Sequence, residues 1–334
     1  MDKLTYTNEY GEEIPMEVPT HEAREALINP WGAGVNALIS KVQGENYKPT
    51  PTGIENLDNL LGGGFINQQL IGITGRPGAG KTAFVQFLAE SMANNRADFS
   101  CLYLCFEMSA EQLQARSISR LMYSAGHKLA PIEILQGKGG WFEGAEAYNK
   151  MYGASIAYMG VGGGLNSNDI SEVVRVIENA VRFNASNGRP APYIVIDYLQ
   201  IVGVKGQNEF EAIGTIMATL KGLAVKYNTV ILIVIANNRE ANRKAENDMF
   251  SGRGSGSIEY GADILLSLNP SEDTEVENRR IALKVAKGRW IEPNKEIYFD
   301  FTGKYMAYTP VNMMGRVLSN KEQKEVNNLL GLKK

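Results

Sequence analysis

One glycine-rich run constrains the possible fold more than any other part of the chain. Gly75-Arg-Pro-Gly-Ala-Gly-Lys-Thr82 fits the pattern G-x-x-x-x-G-K-[ST], in which the backbone amides of a loop point inward and enclose phosphate groups. An apolar run, Leu70–Thr74, precedes it, and Phe84, Phe87 and Leu88 follow at helical spacing. Strand, loop and helix in this order place the loop at a helix N-terminus, which favours an anion. This context disfavours the alternative, a glycine-rich turn that binds nothing.

The loop predicts contacts to a nucleoside triphosphate with Mg²⁺. The candidate contacts are Gly75, Arg76, Pro77, Gly78, Ala79, Gly80, Lys81 and Thr82. In this pattern the lysine reaches the β- and γ-phosphate oxygens and the hydroxyl of the last residue binds Mg²⁺. We therefore expect Lys81 and Thr82 to have those roles here.

Length, composition and charge predict a cytoplasmic α/β protein. The 334 residues allow one large α/β domain or two smaller ones, and 44% of them are hydrophobic, enough for a substantial core. We find no apolar run of membrane-spanning length and no signal-peptide segment at the N-terminus, so we expect a cytoplasmic protein. The net charge of −3 means that any nucleic acid must contact local basic loops.

The cysteines and histidines indicate a reduced protein without a zinc cluster. Cys101 and Cys105 share one apolar run, and on a strand they would lie roughly 13 Å apart, too far for a disulfide. We interpret both as core residues in a reducing compartment. His21 and His127 add too few ligands for zinc.

Short apolar runs alternate with helical segments after Pro51, a pattern typical of a parallel sheet covered on both faces. The runs are Leu70–Thr74, Cys101–Phe106, Tyr193–Ile196, Thr229–Ile235, Ala262–Leu268 and Arg280–Ala286. Tyr298–Phe301 and Tyr305–Tyr308 predict a hairpin at the sheet edge. Residues 137–164 are rich in glycine and aromatic residues and show no clear period.

The chain divides into an arm with a linker helix at 1–48, a core domain at 49–310 and a tail at 311–334 that we expect to be helical. Within the arm, a helical signal runs from Thr20 to Ile28, and an apolar stripe follows. The stripe consists of Val35, Leu38, Ile39 and Val42. From the pattern alone it either folds back on its own domain or docks on a neighbouring subunit.

Asp197 is the candidate metal ligand. It ends the apolar run Tyr193–Ile196, and the carboxyl ends of parallel strands form the ligand crevice. We therefore expect it near Lys81 and Thr82, holding Mg²⁺ directly or through water. The alternative is a strand-end aspartate that caps the next turn.

Glu107 is a candidate general base. It follows the run Cys101–Phe106, and hydrolysis needs a group that orients or deprotonates water opposite the γ-phosphate. The spacing leaves a second interpretation open, in which Glu107 caps a helix that begins near Ser109.

Several segments in order carry a family resemblance. They are Pro51–Asp58, Gly75–Thr82, Cys105–Leu113, Val195–Gln200, and Gly256–Glu259 followed by Ala262-Asp263. Together they resemble the motor domain of the DnaB-type replicative helicases, a RecA-like ATPase family, over roughly residues 20–310. The resemblance implies a RecA-like α/β core and a ring, usually of six subunits. Such a ring hydrolyses ATP with Mg²⁺, moves 5′ to 3′ on single-stranded DNA and works with a helicase loader or a primase.

The resemblance also assigns residues. Glu107 matches the catalytic glutamate of the family's Glu-Met-Ser motif, and Lys284–Trp290 resembles its Lys-x-Arg element. Lys287 and Arg289 then match a pair that enters the adjacent subunit's ATP site, where an arginine stabilises developing charge. The alternative is an exposed basic turn. The stripe matches the family's linker helix, which favours docking on the next subunit.

Two loops are candidates for DNA binding, because loops facing a ring's channel should offer cations and amides to phosphates. One spans Gly203–Asn208 and the other Arg239–Ser257. The candidate contacts are Lys205 in the first, and Arg239, Arg243, Lys244, Arg253, Gly254 and Gly256 in the second. The alternative is that these charges are only solvated.

The chain departs from the family's pattern at Gly254, where relatives often carry Glu after the arginine, and in two further places. Relatives end the strand matching Thr229–Ile235 with Ser-Gln, and that glutamine senses the γ-phosphate; here Ala236 takes its place and Asn237 follows. An alanine side chain makes no hydrogen bond, so either Asn237 takes over this role through a one-residue shift or the sensor is lost. Only 50 residues precede Pro51, which we expect to be too few for the family's helical N-terminal domain or a primase.

These observations predict a compact, motor-only replicative helicase, encoded by a phage or mobile element and therefore found in the host's bacterial cytoplasm. The alternative is a nucleotide-gated DNA-binding or assembly protein that does not unwind DNA, which Ala236 would favour. A strand-exchange recombinase shares the core, but the Glu107-Met-Ser and Ser257-Ile-Glu elements fit it poorly.

Overall fold

We describe the structure from a computed structural model, which covers residues 5–7, 13–15, 38–44, 47–236, 255–271 and 278–311. The chain forms two compact units, residues 1–48 and 49–334. In the first unit, β1 (Thr5–Thr7) pairs antiparallel with β2 (Glu13–Pro15), and residues 38–43 are helical. The predicted helix at Thr20–Ile28 and the predicted tail helix at 312–334 lie outside the described residues.

The second unit is built on a sheet that has ten strands among the described residues, in the order β12-β11-β10-β9-β3-β8-β7-β4-β5-β6. The strands are β3 (Leu70–Gly75), β4 (Cys101–Cys105), β5 (Ile156–Val161), β6 (Gly164–Leu165), β7 (Tyr193–Asp197), β8 (Ile231–Ala236), β9 (Ile264–Pro270), β10 (Asn278–Gly288), β11 (Glu296–Thr302) and β12 (Ala307–Pro310). From β9 to β6 all neighbours are parallel, and β9 to β12 are antiparallel.

Helices cover both faces of this sheet. They are α1 (Glu55–Leu61), α2 (Lys81–Asn95), α3 (Ala110–Ser124), α4 (Pro131–Leu135), α5 (Trp141–Tyr152), α6 (Ile170–Ser186), α7 (Glu209–Lys226) and α8 (Ser255–Gly261). Two apolar clusters result, one that includes Phe84 of α2 and Leu113 of α3, and one that includes Val173 of α6 and Ile216 of α7. The central strands are buried along their whole length because helices pack on both sides. No described helix is both long and apolar enough to cross a membrane.

The predicted α/β fold with an antiparallel edge hairpin is confirmed, and β11 and β12 form that hairpin. One strand direction differs: β10, expected among the parallel strands, runs antiparallel to β9. The seven residues between Pro270 and Asn278 can reverse the chain, whereas a parallel neighbour needs a crossover of about a dozen residues or more.

The segment 137–164, which showed no period, contains α5, β5 and the first residue of β6. Strand β5 lies next to the edge strand β6, and most of its residues are intermediate or exposed without alternating along the strand. Cys101 and Cys105 lie on β4 as buried free thiols.

Candidate nucleotide-binding site

The glycine-rich loop connects the carboxyl end of β3 to the N-terminus of α2, as the strand–loop–helix pattern predicts. Gly80 has a φ of +88°, and a Cβ there would lie 2.4 Å from the hydroxyl of Tyr308. At Gly75 a Cβ would lie 2.6 Å from the Leu268 carbonyl oxygen. The loop can keep this path only if both positions are glycine.

The amino group of Lys81 closes over the loop. Its Nζ donates to the carbonyl oxygens of Gly75 at 2.8 Å and of Arg76 at 3.2 Å. Burial lowers the pKa of Lys81, and the charges of Asp197 and Glu107 oppose that shift. Both candidate carboxylates therefore act on the lysine, which places the three side chains at one end of the sheet.

Asp197 ends β7, opposite Cys105 of β4 in the parallel register. Its side chain is buried, and Oδ2 accepts a 2.7 Å hydrogen bond from the hydroxyl of Tyr103. The other oxygen, Oδ1, has no hydrogen-bond partner among the described residues. Burial raises the pKa of Asp197, while the hydroxyls of Tyr103 and Thr82 lower it. A buried carboxylate oxygen with no hydrogen-bond partner is suited to bind a cation.

Glu107 lies two residues beyond β4, beside this carboxylate. The amide of Phe106 donates to the Asp197 carbonyl oxygen at 3.0 Å, which ties the two strand ends together. Glu107 is exposed, and its carboxylate bonds to no described residue. Ser109 caps α3 through the Gln112 amide, in a capping box with Gln112. The helix therefore has a cap that does not involve Glu107.

Arg116 is a site residue that we did not predict from the sequence. It is half-buried on α3, and burial lowers its pKa while Tyr103, Asp197 and Glu107 oppose that shift. Its guanidinium makes no hydrogen bond or ion pair with the described residues. The signal was present in the spacing, because Arg116 lies three residues after Leu113 on the buried face of α3.

Lys287 and Arg289 lie at the other end of the strands, where the parallel strands begin. We call this end the amino edge of the sheet, and the end that carries Gly75 and Asp197 the carboxyl edge. Gly288 of β10 is in register with Ile264 of β9, which is in register with Ile71 near the start of β3. Gly75, where the loop begins, is four residues further along β3, roughly 13 Å away.

The side chains at this second edge are tied to the same chain. Arg289 Nε pairs with Oδ1 of the buried Asp263 at 3.2 Å, and its Nη2 donates to the Tyr260 carbonyl oxygen at 3.3 Å. Lys287 donates to the carbonyl oxygens of Glu259 and Ala262 at the end of α8. Burial lowers the pKa of Lys287, and Arg289 lowers it further.

The comparison with protein families decides the assignment. The DnaB-like helicase C-terminal domain matches residues 50–310, which is most of the chain. The chain belongs to this family. Both the family and the RecA-like fold expected from the sequence are therefore confirmed.

Curated relatives of this DnaB-like chain include a probable plasmid replicative DNA helicase of Chlamydia muridarum. It is 31% identical over 242 residues, which cover 71% of this chain and 50% of that protein. The replicative DNA helicase DnaB of Pasteurella multocida is 28% identical over 244 residues, with 70% and 49% covered. The chain thus spans about half the length of the curated relatives it matches.

Solved structures share the fold. One of them, an isolated ATPase domain, superposes with a TM-score of 0.67 at 20% identity, covering 88% of this chain and 100% of that one. A DnaB-like replicative helicase, solved to show its interactions with primase, also has a TM-score of 0.67 at 20% identity, with 86% and 70% covered.

Ala236, which the resemblance matches to the family's γ-phosphate sensor, lies in register with Gly75 at the start of the loop. The Gln200 side chain hydrogen-bonds to both backbone groups of Ala236. Its Nε2 donates to the Ala236 carbonyl oxygen at 2.9 Å, and the Ala236 amide donates to its Oε1 at 3.1 Å. Position 236 is therefore adjacent to the glycine-rich loop but offers only a methyl group. Asn237 lies outside the described residues.

Only two of the predicted DNA contacts lie within the described residues. Lys205 is exposed after β7, where its backbone amide donates to Asp169 at 3.2 Å, and Gly256 is exposed on α8. The others lie outside the described residues: Arg239, Arg243, Lys244, Arg253 and Gly254. Their role in DNA binding stays a prediction.

Proposed function

We propose that this DnaB-like chain hydrolyses ATP with Mg²⁺ to translocate on single-stranded DNA, 5′ to 3′ as the family resemblance implies, and to unwind duplex DNA during replication. One observation carries the proposal: a phosphate loop and two carboxylates share one sheet edge, while the Lys287/Arg289 pair lies at the other. The functions named for its relatives agree with this proposal.

Each residue at the first edge has a chemical role in the proposal. Thr82 and Asp197 would hold Mg²⁺, which fits the unpartnered Oδ1 of Asp197 and supplies positive charge beside the β- and γ-phosphates. Lys81 leaves its two loop carbonyls to bind phosphate oxygens. Glu107, exposed and unpaired among the described residues, orients and deprotonates the attacking water. Arg116 adds a second cation beside these carboxylates.

The trans role of Arg289 follows from distance. Arg289 donates its amide to the Asp263 carbonyl, and the Asp263 amide donates to the carbonyl of Leu70 at the beginning of β3. It therefore lies about one strand length from its own phosphate loop. If Arg289 stabilises charge on a transferred phosphoryl group, that group is bound by another copy of the chain, which makes hydrolysis depend on assembly.

We further propose that the assembly is a ring of six. Leu38, Ile39 and Val42 on the helical residues 38–43 are exposed, and they would dock this stripe on the next subunit. Single-stranded DNA would pass the two basic loops, and a loader or primase would join the ring, as primase interacts with a structurally similar DnaB-like helicase. The plasmid helicase among the relatives supports a mobile-element source.

The test measures ATP turnover with and without single-stranded DNA, together with unwinding of a forked duplex that carries a 5′ tail. We expect DNA to stimulate turnover and the fork to be unwound, with both activities absent in Lys81→Ala. Turnover that ignores DNA, with no unwinding, would instead support a nucleotide-gated assembly protein. That result would agree with the missing side-chain sensor at Ala236.

A further inference from the structure

The hydroxyl of Tyr308 contacts the phosphate loop from outside. It lies 3.2 Å from the carbonyl oxygen of Ala79 and 3.1 Å from that of Gly80, the last two residues before α2. Tyr308 belongs to β12, the last strand of the antiparallel hairpin. The fit is close, because a Cβ at Gly80 would lie 2.4 Å from this hydroxyl oxygen.

We propose that Tyr308 is a positioning residue for nucleotide binding, whose hydroxyl holds the amides of Gly80 and Lys81 toward the phosphates. In a planar trans peptide, the carbonyl and the amide point in opposite directions. The one hydroxyl hydrogen is shared between the carbonyl oxygens of Ala79 and Gly80, and the Gly80 oxygen also accepts from the Phe84 amide at 2.8 Å. By binding these oxygens, the hydroxyl helps to keep the two following amides turned away from Tyr308. This inference rests on the proposed function, in which the loop binds ATP.

Aromatic side chains of the hairpin and of α2 pack around the Tyr308 ring. The ring stacks on Phe301 with centroids 4.5 Å apart, and it meets Phe84 of α2 edge-on at 5.4 Å and stacks on Phe87 at 6.0 Å. Burial raises the pKa of Tyr308 well above its usual range, so the hydroxyl stays a donor. A rigid donor loses little freedom on bonding, which suits it to setting the loop's conformation.

The hairpin has a second attachment to α2 that does not use this hydroxyl. Arg120 donates to the Met306 carbonyl oxygen at 2.9 Å, and it forms a buried ion pair with Glu90 of α2 at 2.7 Å. Removing only the Tyr308 hydroxyl therefore leaves both the ring packing and the Arg120 bridge. Loop geometry can then change without loss of the hairpin.

The test compares the full chain with Tyr308→Phe and with Tyr305→Phe as a matched control. Tyr305 lies in the same hairpin and its ring stacks on Tyr123 with centroids 4.7 Å apart, but its hydroxyl makes no hydrogen bond to the described residues. ADP binding is measured by calorimetry, ATP hydrolysis by steady-state kinetics, and exchange of the loop amides by mass spectrometry.

For Tyr308→Phe we expect the ADP Kd and the ATP KM to rise roughly 2- to 10-fold, the loss that one hydrogen bond predicts. We expect kcat to change less than about twofold, because Glu107 and Arg289 are untouched. The loop amides should exchange faster, and Tyr305→Phe should match the unmodified chain in all these measurements.

Equal ADP affinity in Tyr308→Phe and the unmodified chain would overturn the inference alone. The same holds for a lower melting temperature with unchanged ADP affinity, since the hydroxyl would then only stabilise the fold. An equal loss of affinity in Tyr305→Phe would also overturn it. If the unmodified chain fails to bind ADP, the proposed function fails as well.

Discussion

The two edges of the sheet carry charged clusters that differ in how completely their carboxylate oxygens are hydrogen-bonded. At the carboxyl edge, one oxygen of the buried Asp197 has no hydrogen-bond partner among the described residues, and Lys81 bonds only to loop carbonyls. At the amino edge, the buried Asp263 accepts from the Leu70 amide at 2.8 Å, from Lys221 at 2.6 Å and from Arg289 at 3.2 Å.

This difference indicates which cluster is shaped for a ligand. An incompletely bonded buried carboxylate costs stability unless something binds it, so the carboxyl edge is suited to a metal–nucleotide complex. At the amino edge, the Asp263 carboxylate has its hydrogen-bond partners within the same chain, and its ion pair fixes the direction of Arg289. We infer that the first edge accepts a ligand and that the second presents a preoriented group to another copy.

The largest effect is expected from removing Arg289, which in the proposal joins the amino edge of one subunit to the glycine-rich loop of the next. Arg289→Ala should lower kcat for ATP by roughly 10³-fold or more, because a trans arginine contributes about 10³ to 10⁵, while ADP binding is retained. The measurement is steady-state hydrolysis with ADP calorimetry as the control. Near-normal turnover would contradict the trans assignment.

A mixing experiment sharpens this prediction. An interface that joins the phosphate loop of an Arg289→Ala subunit to the arginine of a Glu107→Gln subunit contains every proposed group. Mixed rings should therefore regain activity that neither variant has alone. If mixtures stay inactive, although size-exclusion chromatography shows that the two variants assemble together, the two groups serve the same chain.

Glu107→Gln tests the carboxyl edge by itself. The amide keeps the size of the side chain but cannot accept a proton, so kcat should fall roughly 10²- to 10⁴-fold. Because Glu107 bonds to no described residue, the melting temperature should stay constant. Single-turnover hydrolysis and thermal unfolding measure the two quantities. Turnover within about tenfold of the unmodified chain would reject Glu107 as the base.

Asp263→Asn tests the amino edge. An amide cannot accept from all three donors, so we expect stability to fall by about 1.5–3 kcal/mol. A mispositioned Arg289 should lower kcat roughly 10- to 100-fold, less than its removal. Lys221→Met is the matched control: Lys221 is about one-third exposed, so it should cost at most about 1 kcal/mol and leave kcat unchanged. Equal kcat losses in both variants would contradict the role of Asp263 in orienting Arg289.

The smallest expected effect concerns Asp197 and pH. Burial raises the pKa of Asp197, so between the ordinary carboxyl pKa and this raised pKa the folded state binds more protons than the unfolded state. Stability therefore falls as pH rises through that window. Asp197→Asn should raise the melting temperature of the nucleotide-free protein at neutral pH by a few degrees, and the gain should shrink toward acid pH. Thermal unfolding from about pH 4 to about pH 8 measures it; a pH-independent difference would contradict the cause.

The fold was predictable where the signal was local. The runs at Leu70–Thr74 and Cys101–Phe106 became buried strands almost without change in their bounds, because continuous apolar runs suit a parallel sheet. The direction of β10 depends on the length of its connection to β9, and the apolar run itself carries no information about direction. Strand β5 lies next to the edge strand β6, and its partly buried residues show no alternating pattern.

The candidate site was predictable for residues in motifs and not for their supports. Asp197 and Glu107 followed strands, and family resemblance added Arg289. Arg116, Asp263 and Tyr308 acquire their roles from neighbours that are distant in sequence. Tyr308 contacts Gly80 across 228 positions, and no periodicity encodes such a contact.

The sequence by itself determined that a glycine-rich loop lies between a strand and a helix, because glycine spacing and apolar periodicity are local properties of the chain. It also determined the family. Only the tertiary structure decided that Arg289 lies at the opposite edge from Gly75, and that Tyr308 lies against the loop. Those facts depend on strand order and register, which arise when distant segments pair and pack.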